Sequence, residues 1–366
     1  MIPYVILAGA LAGLFLMLAA IRRMYDRRWD RGLGVTLAFR DRTAVEGSTT
    51  ALREVIVNDK RLPLPAVDID FQLDRNLRFA DGQNVSVSDK TYRRDIFALN
   101  GRQKITRTLT LECLGRGYYE IDRVGLTGWD LFLRKKYRDS QPQHAALYVT
   151  PRPVPTRQVQ LPYARITGEL LTRRRELEDP FAFAGLREYA RGDPLKYVNW
   201  KATARAGELL TNLHDSTLSQ RVTLLLDVDT AALYHGELLV EEGIRLACAL
   251  AQQLLQEGVT VELISNGIDC QTGEPWLLAD LTGGGSVPGL LRKFACLQGG
   301  EELPDVLSGW ESTGDLTVLI SPREELAKPF AARLGRERGL FLLVGEGPAK
   351  EEKRGSMNLI RWEASL

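Results

Sequence analysis

The sequence predicts three parts: a membrane-spanning helix, an all-β domain shaped as an immunoglobulin-like sandwich, and an α/β domain with a doubly wound parallel sheet. Three observations carry this reading. Residues Ile2 to Ile21 hold no charge. Residues 32–150 fall into short runs rich in Val, Ile, Leu and Thr, with no long helical pattern between them. From Arg221 onward, continuous apolar runs alternate with helical ones. At 366 residues the chain exceeds one ordinary domain, and 44% hydrophobic with 26% charged residues excludes a largely disordered chain. The formal net charge of +1 argues against a general nucleic-acid binder.

The apolar run is long enough, at about 1.5 Å per residue, to cross a ~30 Å hydrocarbon core. Arg22, Arg23, Arg27, Arg28 and Arg31 follow it, diluted by Asp26 and Asp30. The competing reading is a cleaved signal peptide, although a secretory signal would carry its basic residues before a shorter apolar run. The positive-inside rule then places the bulk of the chain in the cytoplasm, as a single-pass membrane protein. Tyr25 and Trp29 suit an interfacial position. Gly9 and Gly13 form a GxxxG pair, read either as a helix-dimerisation face or as the ordinary small-residue content of a membrane helix. Cys113, Cys248, Cys270 and Cys296 show no metal or disulfide spacing, in keeping with a reducing compartment.

In the β domain, strands are expected at Gly34–Phe39, Ala51–Val57, Val67–Leu73, Lys104–Cys113 and Leu147–Thr150. Turn signals at Asp81-Gly82, Asn100-Gly101 and Gly115-Arg116-Gly117 separate several of them. Residues 151–184 read as a Pro/Arg-rich linker, because Pro151, Pro153, Pro155 and Pro162 oppose a regular helix. The α/β part is expected to run Val222–Leu226 (strand), Gly236–Gln256 (helix), Val259–Ile264 (strand), Val287–Leu297 (helix), Leu316–Ile320 (strand), Glu324–Arg338 (helix) and Leu340–Val344 (strand). In such sheets the functional crevice lies at the C-terminal strand ends, which points to Asp227, Ser265 and Ser321.

Between linker and sheet lies a dense motif: Gly185, Arg187, Glu188, Tyr189, Gly192, Asp193, then Trp200, Ala204 and Arg205. Asp193 as N-cap, Pro194 at the first helical position and Gly207 past the end predict a helix from Pro194 to Ala206. The charges of Arg187, Glu188, Asp193 and Arg205 admit two readings. One is a semi-buried ion network that fixes the segment; the other is a catalytic cluster of a membrane-tethered enzyme.

This motif resembles the signature of the bacterial domain-of-unknown-function family fifty-eight. Arg116-Gly117-Tyr118-Tyr119, Gly128-Trp129-Asp130-Leu131-Phe132 and Val149-Thr150-Pro151-Arg152 are similar to further elements of that family. The resemblance implies a von Willebrand A-like domain over residues 185–366. It also implies action with a MoxR-type AAA+ ATPase in assembling or maturing other proteins; a membrane-anchored, non-enzymatic interaction protein is the expected role, and a membrane-tethered enzyme the alternative. Members often carry two adjacent membrane helices; this chain shows one. Von Willebrand A domains commonly hold a divalent metal through Asp-x-Ser-x-Ser, a distant Thr and a distant Asp. Here the strand end reads Asp227-Val228-Asp229-Thr230-Ala231, and Ser321-Pro322 stands where the distant Asp is expected. Asp227, Asp229 and Thr230 therefore form a degenerate set for a cation such as Mg²⁺, which wants a full shell of oxygens.

Little else suggests catalysis. Gly283-Gly284-Gly285-Ser286 lacks the Lys of a phosphate-binding loop. His144, His214 and His235 are scattered, and no Gly-x-Ser-x-Gly element appears. Charge is unevenly spread: residues through Arg205 hold 35 basic and 23 acidic groups, the remainder 13 and 24. The acidic C-terminal part is expected to steer toward a basic partner surface, and the basic part toward anionic lipid.

Overall fold

A computed structural model describes residues 2–82, 84–176, 183–190, 195, 198–214, 220–230, 235–299, 315–334, 339–346, 350–354 and 357–364. The chain divides into two compact units, residues 1–152 with 291–296, and residues 153–290 with 297–366.

The first unit opens with helix α1 (Ile2–Arg28), whose stretch Ile6–Arg28 is long and apolar enough to cross a membrane. Its apolar side chains Ile6, Leu7, Leu11, Phe15 and Leu16 are exposed, as a lipid-facing helix requires. Two packed sheets follow. One orders β1 (Leu33–Phe39), β3 (Thr49–Asn58), β8 (Gln103–Cys113) and β5 (Leu77–Phe79) as β1-β3-β8-β5. The other comprises β2 (Thr43–Val45), β4 (Leu64–Asp74), β6 (Val85–Val87), β7 (Lys90–Leu99), β9 (Gly117–Trp129) and β10 (Lys136–Thr150), in the order β2-β10-β9-β4-β7-β6. All pairs are antiparallel except β2 with β10. Alternating residues such as Leu52, Ile56, Ile69, Leu111, Ile121 and Leu147 turn inward and are fully buried, so the unit is a β-sandwich.

β1 is an edge strand, and its open side is sealed by side chains rather than by another strand. Gln141 accepts from Val35 N at 2.9 Å and donates to Leu33 O at 2.7 Å. Gln143 repeats the pattern with Leu37 N at 3.0 Å and Val35 O at 2.9 Å. Two amides on β10 thus reproduce the ladder bonds of a missing neighbour.

Tyr25 and Trp29 are not interfacial but buried in the sandwich, 1% and 7% exposed. The Trp29 ring stacks on Tyr137 at 5.6 Å, and Tyr25 donates to Pro63 O at 2.7 Å. Asp26 accepts from Lys135 Nζ and Tyr137 OH, both at 2.6 Å. The end of α1 is therefore part of the sandwich core. Gly128 on β9 makes room for it, since a Cβ there would lie 2.6 Å from the Trp29 ring.

The second unit begins with a correction. The expected linker holds helix α2 (Thr156–Glu176), with Pro162 inside it. Its buried face is Val159, Ile166 and Leu170. Proline removes one helical hydrogen bond, and the structure compensates at that point: Trp362 Nε1 donates to the Gln158 carbonyl at 3.1 Å. A hairpin of β11 (Phe183–Glu188) and β12 (Leu210–His214) follows, enclosing the short helix α3 (Trp200–Ala206).

The main sheet contains β13 (Arg221–Leu226), β14 (Thr260–Asp269), β15 (Pro275–Leu281), β16 (Leu297–Gln298), β17 (Leu316–Ser321), β18 (Gly339–Gly345), β19 (Lys350–Arg354) and β20 (Met357–Glu363). Their order is β15-β14-β13-β17-β18-β20-β19, with β16 pairing β14. The run β14-β13-β17-β18-β20 is parallel, and β15 and β19 are antiparallel edges. Helix α4 (Gly236–Gln256) covers one face, where Gly243 approaches Leu226, Ile320 and Val344. Sequence-wise, α5 (Val287–Cys296) follows β15. Helix α6 (Ala327–Leu334), entered through a 3-10 turn at Glu324–Leu326, covers the other face. Its Phe330 and Leu334 pack with Leu225, Leu319, Phe341 and Leu343. Neighbouring residues on one strand thus face opposite helices, so the central strands β13, β17 and β18 are apolar along most of their length.

Candidate functional site

Two places in the second unit collect the residues singled out by sequence. The first is the C-terminal end of the parallel strands. Asp227 follows β13 and its N–H continues the ladder to Ile320 O at 3.0 Å, which fixes it beside the end of β17. Its side chain is fully buried. Ser321 Oγ donates to Oδ2 at 2.6 Å, Asn266 Nδ2 to Oδ1 at 3.2 Å, and Asp229 N to Oδ1 at 3.2 Å. Asn266 also accepts from Val228 N at 2.8 Å, so the loop after β13 is tied to β14.

The remaining contacts come from Arg323. Its Nε donates to Asp227 Oδ2 at 2.9 Å and its Nη2 to Oδ1 at 2.8 Å, a two-pronged grip on one carboxylate. Its Nη1 reaches Asp229 Oδ2 at 2.6 Å. The Arg323 backbone N–H donates to Ser321 Oγ at 2.9 Å, which holds the arginine at the strand end. Burial disfavours the charged guanidinium, yet Asp227 and Asp229 outweigh it and raise the pKa of Arg323 further.

This arrangement tests the metal expectation. A hard divalent ion needs carboxylate oxygens that face it and little competing positive charge. Here both oxygens of Asp227 and one of Asp229 are engaged by a guanidinium, and Thr230 is exposed. Ala231 lies outside the described residues. Asp227, Asp229 and Thr230 do not fit a divalent metal: the positive charge at this place is supplied by Arg323. Arg323 and Asn266 were not legible as site residues. The available signal was Arg323 standing two residues after Ser321, where the resemblance expects an acid.

The second place is the signature. Arg187 pairs with Thr211 and Glu188 with Leu210 across the β11–β12 hairpin, and Tyr189 N bonds Leu209 O at 2.9 Å. The predicted helix start is corrected. α3 begins at Trp200, with Asn199 as N-cap accepting from Ala202 N at 2.9 Å, because Asn199 is also anchored to Asn212 Oδ1 at 2.7 Å. Gly207 ends the helix in the left-handed conformation, as expected. Thr203 Oγ1 accepts from Leu210 N at 3.0 Å and locks helix to hairpin.

Gly192, Asp193 and Pro194 lie outside the described residues. Of the charged set, Arg187, Glu188 and Arg205 are exposed, not semi-buried; Arg187 donates to the Glu188 carbonyl at 3.1 Å. Gly185 and Tyr189 are half-buried and Ala204 is exposed. Trp200 is 64% exposed, with Leu186 at 42% and Leu209 at 45%. The hairpin and helix are held by backbone and amide bonds, which frees their large side chains for solvent or a partner.

No protein-family model matches the chain, and no curated relative does. Solved structures similar to part of it include the CARDB domain of the PF1109 protein from Pyrococcus furiosus, at 10% identity and TM-score 0.21, covering 32% of this chain and 90% of that one. A non-cellulosomal cohesin from Archaeoglobus fulgidus is similar at 11% identity and TM-score 0.20, covering 30% of this chain and 91% of its own.

Proposed function

We propose that the chain is a membrane-anchored interaction protein of the domain-of-unknown-function family fifty-eight, acting with a MoxR-type AAA+ ATPase in assembling or maturing a client protein. The observation that carries this reading is the signature itself. The described residues that resemble the family lie on a hairpin and the short helix α3, tied together by hydrogen bonds, and Trp200, Leu186 and Leu209 there are exposed. Exposed aromatic and aliphatic groups on a rigid support suit protein docking. The exposure of Arg187, Glu188 and Arg205 favours a role in contacts over catalysis, which works best in a water-excluded site.

The parallel sheet with antiparallel edges and helices on both faces supports a von Willebrand A-like domain. Within it, the charge of Asp227 is balanced by Arg323. The arginines after the apolar run support a cytoplasmic location for the sandwich and the α/β unit.

Capture with the full-length chain in mild detergent tests the proposal. A AAA+ ATPase is expected with the wild type, in a salt-sensitive manner, and should be lost with Trp200→Ala at unchanged thermal stability. Capture that never yields an ATPase, or that is indifferent to Trp200, overturns it.

A further inference from the structure

The end of α1 and the turn between β3 and β4 flank an open cavity of about 390 Å³. It is lined by Met24, Arg28, Arg31, Lys60, Arg61, Leu62 and Pro63. Four of these seven side chains are cationic and none is acidic. Two distant segments are held together to make it. Tyr25 OH bonds Pro63 O at 2.7 Å, Lys60 Nζ donates to Trp29 O at 2.6 Å, and Asp59 N bonds Gly32 O at 2.8 Å. The cations are therefore positioned by the sandwich and do not simply trail from a helix.

Lys60 is held about half-buried, and this burial pushes its pKa down to about 8, with only Asp30 opposing. A cation under that pressure gains from a bound anion more than a solvated one does. Depth adds a second argument. The uncharged run ends at Ile21. Met24 lies about 4.5 Å and Arg28 about 10 Å further along the helix. The headgroup layer on each side of the hydrocarbon core is about 5–8 Å thick. By this measure Met24 falls within the headgroup layer and Arg28 at its watery edge, so the helix end that lines the cavity spans the depth of the lipid phosphates.

We propose that this cavity binds the phosphate of an anionic phospholipid headgroup. The inference rests on reading α1 as membrane-spanning. Arg28, Arg31, Lys60 and Arg61 supply the donors, and the fork of an arginine suits a phosphate. Such a site would fix the sandwich against the membrane surface at one rotation, which a single helix cannot do.

The full-length chain in neutral detergent is titrated with dioctanoyl phosphatidylglycerol, dioctanoyl phosphatidylcholine and inorganic phosphate, with binding read by native mass spectrometry. One equivalent of phosphatidylglycerol is expected, with phosphatidylcholine and free phosphate much weaker. Arg61→Gln and Lys60→Gln should each weaken it about fivefold. Arg23→Gln and Arg27→Gln, on the same helix but outside the lining, should leave it unchanged. Since Lys60 also ties down Trp29, Arg61→Gln decides the matter if Lys60→Gln does not fold. Equal binding of the two lipids, equal binding of free phosphate, or an equal loss with Arg23→Gln overturns the site. Flotation of the wild type with neutral vesicles separates the two readings. A chain that floats but does not select phosphatidylglycerol sinks the cavity alone, and one that does not float sinks the spanning helix.

Discussion

The indole N–H of Trp362 donates to the carbonyl of Gln158 at 3.1 Å, the same carbonyl that Pro162 cannot serve. Trp362 is 2% exposed and belongs to β20, so the last parallel strand repairs a defect in helix α2. Of the four prolines from Pro151 to Pro162, only Pro162 lies inside the 21-residue helix, and this bond offsets the one it removes.

Trp362→Phe should therefore loosen α2 more than loss of apolar area explains, by about 1–2 kcal/mol. Pro162→Ala restores a backbone donor to Gln158. In that background the same Trp362→Phe substitution should cost less. Hydrogen exchange of the α2 amides reads both effects, and an unchanged cost in the double variant would remove the pairing argument.

Arg323 is the counter-charge for a carboxylate with no exposed surface. Arg323→Ala leaves Asp227 buried without its partner and should destabilise the second unit by about 3–5 kcal/mol. Arg323→Lys keeps the charge but not the two-pronged grip and should fall between the two. Chemical denaturation followed through tryptophan fluorescence measures the order. Chelation by EDTA should leave wild-type stability unchanged. A loss of stability on chelation, recovered with Mg²⁺ and abolished in Asp227→Asn, would show a metal where the guanidinium lies.

Legibility followed local signal. Helix α4 reads directly from Val240, Ile244, Ala247, Ala251 and Leu255, and its bounds agree because the apolar spacing and Gly258 both act within one segment. Asp227 was legible for the same reason, as a charge ending an apolar strand. β9 was not. Gly125 and Gly128 break its pattern, and both are there for distant neighbours: a Cβ at Gly125 would lie 2.5 Å from Asp70 Oδ2, and Gly128 accommodates Trp29. α2 was missed because its missing bond is made by a residue 204 positions away. Arg323 was missed because nothing local marks an arginine as facing a carboxylate 96 positions back. Buried Tyr25 and Trp29 look like interfacial residues until the sandwich that covers them is known.

The amide ladder on β1 predicts a specific asymmetry. Gln143→Leu removes both partners of a buried backbone N–H and C=O and should cost about 2 kcal/mol or more. Gln143→Glu keeps an acceptor for Leu37 N but no donor for Val35 O, and should recover only part of that. Thermal unfolding of the purified chain ranks the three.

An ion network joins the two sheets of the sandwich. Arg107 on β8 donates to Glu54 on β3 and to Asp95 on β7. Arg93 bonds Asp95 at 2.7 Å and Asp81 at 2.9 Å, and Asn84 donates to Asp95 at 2.8 Å. Burial pushes the carboxyl of Asp95 up, but these donors win and hold it at about 2. Its unfolded value is 3.8, so its contribution is fully present above about pH 4 and is lost as pH falls from there toward 2. Glu54 behaves oppositely. Its burial outweighs Arg107 and raises its pKa, and one of its oxygens is buried without a hydrogen-bond partner. Its contribution is present at low pH and is lost as pH rises through that raised value. Asp95→Asn should therefore lower the sandwich's stability near pH 7 and converge with the wild type near pH 2. Glu54→Gln should be tolerated better at pH 7 than at pH 3. Stability measured against pH for the two variants distinguishes these slopes, and parallel curves for both would show that the network carries no net charge effect.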